Sequence, residues 1–184
     1  MGTAKLQFLD WDFIPERVLI RWAVRQVEAG AETKPLILLA GLLETELWQA
    51  QDLFRAVLAE RDVDIAADDL LRPYLTGYLI WNSDLVYRRL PRDAELCLYL
   101  LRCLCRSIIN KEVNLFVACE TISLAVEGGC RSWDDKVDRP DGLDDLLDAY
   151  WEVDWNPRAD VEAAHKRIMT AARALAGNAE SGIP

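Results

Sequence analysis

Apolar residues recur three and four positions apart along nearly the whole chain, and no stretch alternates apolar with polar residues as a half-buried strand would. The pattern predicts helix throughout. Pro15 reads as a first-turn proline for ERVLIRWAVRQVEAG, with Gly30 as its terminator. Arg17, Arg21 and Arg25 form one polar stripe of that helix, while Leu19, Trp22, Ala23 and Val27 face elsewhere. Pro35 opens a short apolar helix that Gly41 weakens. Thr45 is placed as the cap of ELWQAQDLFRAVLAER, with Leu47, Ala50, Phe54, Val57 and Leu58 as its inward face. AADDLLRPYLTGYLIWNSD reads as an interrupted helix, because Pro73 lacks an amide proton and Gly77 is a poor helix former.

Asp93 and Asn110 are placed as caps of AELCLYLLRCLCRSII and KEVNLFVACETISLAVE. Both segments are apolar around most of their circumference, which puts them at the centre of a bundle as a helical hairpin. Asn156 and Pro157 read as the start of a last helix that ends at Gly177. The fold class predicted is all-α: a single-domain bundle of about seven helices over residues 1–176, with a frayed tail at 177–184.

Composition narrows the function classes. Just over half of the 184 residues are apolar, enough for a packed core and too many for a disordered chain. The longest apolar run, PLILLAGLL at 35–43, is far short of the ~20 residues a membrane span needs. The opening MGTAKLQFLDWDF acquires acids too early for a secretory signal, so the expected location is cytoplasmic and no membrane partner is expected. Cys97, Cys103, Cys105, Cys119 and Cys130 contain no C-x-x-C pair, and four of them lie inside apolar helical stretches, as buried small hydrophobes do. With a single histidine in the chain, a zinc site would have to be almost purely thiolate, and it is rejected.

Charge then singles out one segment. WDDKVDRPDGLDDLLDAYWEVDW, residues 133–155, holds nine carboxylates, two bases and four large aromatics, and supplies seven of the ten net negative charges. An EF-hand fails here: with Gly142 as the sixth loop residue, Val137 and Arg139 would stand where oxygen ligands are required. A catalytic carboxylate pair is disfavoured by helical phase. Leu143, Leu146, Leu147, Tyr150 and Trp151 make one apolar face, leaving Asp144, Asp148 and Glu152 as a stripe on the other side with Asp145 beside them. A solvated stripe is a poor place to raise a carboxyl pKa.

His165 shares a face with Val161, Ile168 and Ala172 and reads as a partly buried structural histidine. No nucleophile elbow, phosphate-binding glycine loop or H-E-x-x-H occurs. The one basic cluster, Arg88, Arg89 and Arg92, reads as a charged turn, and the acidic balance argues against nucleic acid. The reading therefore assigns no catalytic residue, no cofactor and no metal.

Helix-dipole stabilisation accounts for Asp141 as a cap and for Asp144 and Asp145 in the first turn. It does not account for Asp148 and Glu152, where like charges four apart repel, nor for Asp134, Asp135 and Asp138. Charge of one sign held on a folded surface speeds encounter with an oppositely charged partner, and Trp133 and Trp155 flank the acids as interface anchors would. Trp133, Asp134, Asp135, Asp138, Asp141, Asp144, Asp145, Asp148, Glu152 and Trp155 are thus the candidate partner-binding residues.

Two stretches, FIPERVLIRWAVRQVEAG followed by LLETELWQAQDLF, and LYLLRCLCRSIINKEVNLFVACETISLAVEG, carry a resemblance in order and spacing. The chain resembles small, acidic, all-helical bacterial immunity proteins that neutralise toxins. That resemblance implies tight, stoichiometric binding that occludes a cognate toxin, expected to be basic. The alternatives are a helical adaptor or assembly subunit without catalytic activity and, third, a carboxylate-dependent hydrolase with an opportunistic metal.

Overall fold

A computed structural model of the chain describes residues 9, 11–89, 94–128 and 139–177. Nine α-helices and no strand occur among them, so the chain is all-α. Two compact helical units are distinguished, Met1–Leu75 and Thr76–Pro184.

The first unit is built on α1 (Glu16–Glu28), α2 (Lys34–Ala40) and α3 (Ala50–Glu60). Pro15 takes the cap position of α1, one residue before its first turn. Gly30 ends the helix at φ +92, where the amides of Gly30 and Ala31 bond back to the carbonyls of Val27 and Gln26 at 2.9 Å each. Only a residue without Cβ takes that left-handed position without strain. Arg17, Arg21 and Arg25 are exposed and Leu19, Trp22 and Ala23 buried, as the periodicity predicts.

The helix expected to start at Thr45 begins differently. Residues Glu44–Gln49 wind as a 3-10 turn before α3, and the Leu43 amide donates to the Glu46 carboxylate at 3.1 Å. Phe54, on α3, meets the Trp11 ring edge-on at 5.5 Å and the Trp22 ring at 5.3 Å, which centres the core of this unit on three aromatics. The Trp22 indole N–H donates to Asp68 at 2.9 Å, and the other oxygen of that carboxylate accepts the amides of Leu70 and Leu71. One acid thereby ties α1 to the turn leading into α4 (Arg72–Trp81).

Pro73 lies in the first turn of α4, where its missing N–H costs nothing, and Gly77 sits within the helix in open space. The interruption foreseen at these residues falls instead at Asn82, between α4 and α5 (Ser83–Arg89).

In the second unit α6 (Ala94–Ile109) buries ten residues and exposes only Glu95. It packs against α7 (Leu115–Gly128) and α9 (Val161–Leu175), while α8 (Leu143–Trp155) packs on α7 and α9. The α6–α7 hairpin is therefore covered on several sides, as its apolar circumference predicts. Inside it a chain of hydroxyls crosses the core: Thr76 Oγ1 is 2.7 Å from Ser107 Oγ, which donates to Glu112 at 2.8 Å.

Two caps are corrected. Asn114, not Asn110, caps α7 by accepting the amides of Phe116 and Val117, and Asp160, not Asn156, caps α9 by accepting those of Glu162 and Ala163. In each case a connecting turn that periodicity does not register displaces the start by four residues. Asp93 and the tail beyond Gly177 lie outside the described residues.

Lys111 closes α6 at φ +58, a position that Gly30 fills in α1. Its amide and that of Glu112 bond back to Ile108 and Ser107. A left-handed L-residue is strained by roughly 1–2 kcal/mol, and glycine's greater freedom in the unfolded chain returns part of that gain. Lys111→Gly is therefore expected to stabilise the protein by about 0.5–1 kcal/mol, read as a higher urea midpoint at unchanged slope.

Candidate partner-binding surface

The residues of α8 take the phase that the sequence assigns them. Leu143, Leu146, Leu147 and Ala149 are buried, Tyr150 and Trp151 half-buried, and Asp144, Asp145, Asp148 and Glu152 exposed. Asp141 is not the cap. Gly142 holds that position at φ +89 with no side-chain capping bond, so Asp141 stays exposed and adds charge without closing the helix. Burial, and after it the neighbouring Asp154 and the Glu120 of α7, raises the Tyr150 phenol above its ordinary pKa. Trp155 ends the helix 81% exposed. Trp133, Asp134, Asp135 and Asp138 lie outside the described residues.

The stripe is not uniformly bare. Asp144 pairs with Arg139 just ahead of the helix, and Glu152 with Arg167 of α9 at 2.8 Å. Neither Asp145 nor Asp148 has an ion pair among the described residues. The unneutralised charge thus sits in the middle of the stripe, between two compensated ends. Sequence reasoning missed both counterions: Arg167 reaches Glu152 only because α8 and α9 pack together, and no spacing along the chain reports that.

Beside the stripe an open groove of about 410 Å³ runs between the start of α8 and α9. Gly142 and Asp145 form one wall and Lys166, Arg167, Ala171 and Ala174 the other. Gly142 is required at this wall by its left-handed φ of +89; a Cβ there would only reach ordinary contact with the Ala171 carbonyl oxygen at 3.7 Å and Ala174 Cβ at 3.8 Å.

The other candidates separate clearly. His165 is exposed, not partly buried. It lies at the edge of the face formed by Ala164, Ile168, Ala171 and Ala172, and Val161 beside it is exposed in the first turn. Arg88 is exposed, whereas Arg92 and the side chain of Arg89 lie outside the described residues. No group of three or more His, Cys, Asp or Glu among the described residues is placed to hold a metal ion.

Cys97, Cys103, Cys105 and Cys119 are buried thiols, and Cys130 lies outside the described residues. Burial pushes the Cys119 thiol up to about 12 and that of Cys105 further still. Since the thiolate is the reactive form, a disulfide reagent is expected to titrate no more than one thiol per native chain, the other four appearing only in denaturant. Rapid labelling of two or more in native buffer would contradict this packing.

One exposed set escaped the periodicity. Ile37, Leu38, Leu43 and Trp48 of the first unit and Trp81 of α4 are exposed, Trp48 by 75% and Trp81 by 87%. Tryptophan in an apolar helical pattern reads as core, so only the structure reveals these surfaces. No helix among the described residues is long and apolar enough to cross a membrane. No protein-family model, curated protein or solved structure matches the chain.

Proposed function

We propose that the chain is a cytoplasmic inhibitor of the immunity-protein kind, which binds a cognate basic toxin through the α8 surface and occludes it. The observation that carries this reading is the middle of the α8 stripe. Asp145 and Asp148 are exposed and without counterions among the described residues, about three and two turns from a largely exposed Trp155. A stabilising role would favour acids in the first turn and bases toward the C-terminal end, and Asp148 serves neither. An uncompensated patch beside an aromatic anchor suits a protein that meets a positive surface quickly and then buries a ring. Toxins that act on nucleic acid or nucleotides carry such positive surfaces, and the reading borrows its mode of action from the resemblance. No catalytic role is assigned to the carboxylates, because every member of the stripe is exposed.

A tagged pull-down from the native lysate tests the reading, with the captured partner then expressed alone and together with this chain. A stoichiometric basic partner that arrests growth alone and is tolerated when co-expressed would support neutralisation. A partner that is harmless alone would turn the assignment to the second reading, a helical adaptor or assembly subunit. That alternative draws on the exposed Ile37, Leu38, Leu43 and Trp48, an apolar set of the kind that marks contact surfaces. Light scattering weighs it independently, since a clean monomer at micromolar concentration excludes an obligate dimer.

A further inference from the structure

The groove between α8 and α9 has a volume in the range that takes a side chain or small ligand, and its charges are unevenly engaged. Of its two cations, Arg167 is held by Glu152 at 2.8 Å and Lys166 by Glu162 at 3.1 Å. Its acid, Asp145, has no ion pair among the described residues. Asp141 and Asp148 stand about one turn to either side, exposed as well. An anion entering here would gain the amino-terminal dipole of α8 but would face Asp144 and Asp145 in that same turn. A cation meets the opposite balance. Ala171 and Ala174, with Thr170 beside them, line a mainly apolar wall against which an aliphatic stem can lie, with its charged head at the rim.

We propose that this groove receives a lysine or arginine side chain of the basic partner, its charged head on Asp145 and its stem against Ala171 and Ala174. The proposal rests on the reading of α8 as the partner surface, and deepens it by naming the chemistry that one position of the partner presents. It makes the groove the point at which general electrostatic attraction becomes a fixed register. Asp145 and Asp148 draw the partner in, and Asp145 with the alanine wall then seats a single residue.

The test is a titration of the isotope-labelled full chain with acetylated triarginine amide, followed by amide chemical shifts, and with triglutamate of equal length as the anionic probe. Saturable movement of the Gly142, Ala171 and Ala174 signals by triarginine, and none by triglutamate, is expected. Asp145→Asn should weaken the peptide about threefold, in line with an exposed ion pair. Ala174→Leu, which fills the groove and leaves every charge in place, should weaken it by at least as much; residue 174 is exposed, and an unchanged spectrum away from the groove verifies the fold. Movement confined to Asp148 and Glu152, unaffected by Ala174→Leu, would overturn the groove while leaving α8 as a cation-binding face. No perturbation anywhere on α8 would overturn both readings. Triglutamate seated in the groove would reverse the sign of the assignment and overturn it.

Discussion

Replacing Phe54 by alanine is expected to destabilise the first unit by about 3–5 kcal/mol, the usual cost of emptying a buried aromatic site. Phe54 is fully buried, and its ring is the common partner of Trp11 and Trp22, each of which meets it edge-on. Deleting the ring leaves two indoles facing a void that neither can fill. Trp22 is fixed at its other end by the bond from its N–H to Asp68, and Ile14, close to Trp11 in the chain, by the bond from Gln51 to its carbonyl. The site therefore collapses poorly, and the cost belongs at the upper part of the range. Phe54→Leu, which keeps most of the volume, should cost under half as much. Urea unfolding followed by tryptophan fluorescence reads both, since two tryptophans touch the mutated ring. A loss below about 1 kcal/mol for the alanine variant would contradict this packing, given total stabilities of about 5–15 kcal/mol.

Which parts of this protein were legible in its sequence follows from the range of the interactions involved. Helical period is a local property, so the inward faces of α1, α3 and α8 and the burial of α6 were all readable. Caps were less so. Asn110 and Asn156 have the right side chains, but Asn114 and Asp160 have the same chemistry four residues later, and the choice depends on the intervening turn. Lys111 at a left-handed position could not have been foreseen, since nothing in its side chain favours it. Pro73 read as a break because a proline's effect depends on whether it stands in a first turn or an interior, and the start of α4 is set by the Asp68 turn.

The candidate surface divides in the same way. The exposure of Asp144, Asp145, Asp148 and Glu152 follows from phase alone. Which of them keep uncompensated charge depends on Arg139 and on Arg167 from the facing helix, and so does the groove. Exposed Trp48 and Trp81 were illegible for a different reason: apolar composition is the signal for burial, and an exposed tryptophan contradicts it locally.

The second large effect is on association. Replacing Asp145 and Asp148 together by lysine changes the charge of the α8 face by four units, at the two positions of the stripe that have no counterion among the described residues. Association with the captured basic partner is expected to slow by on the order of tenfold to a hundredfold at low salt, within the span that electrostatic steering covers. Dissociation should change less, because rim charges act mainly on encounter. Circular dichroism should be unchanged, since both residues are exposed and neither contributes to the apolar face. Including Asp144 in the reversal adds a separate effect, the loss of its pair with Arg139, so the double variant isolates steering more cleanly.

If this uncompensated charge is what a positive partner recognises, the association rate against ionic strength reads it for both proteins. From low salt to ~0.5 M, where the screening length falls to a few ångströms, the wild-type rate should drop steeply while that of the Asp145/Asp148 double-lysine variant stays nearly flat or rises. Parallel curves for the two proteins would contradict the claim and leave the acids of α8 as a solvated face.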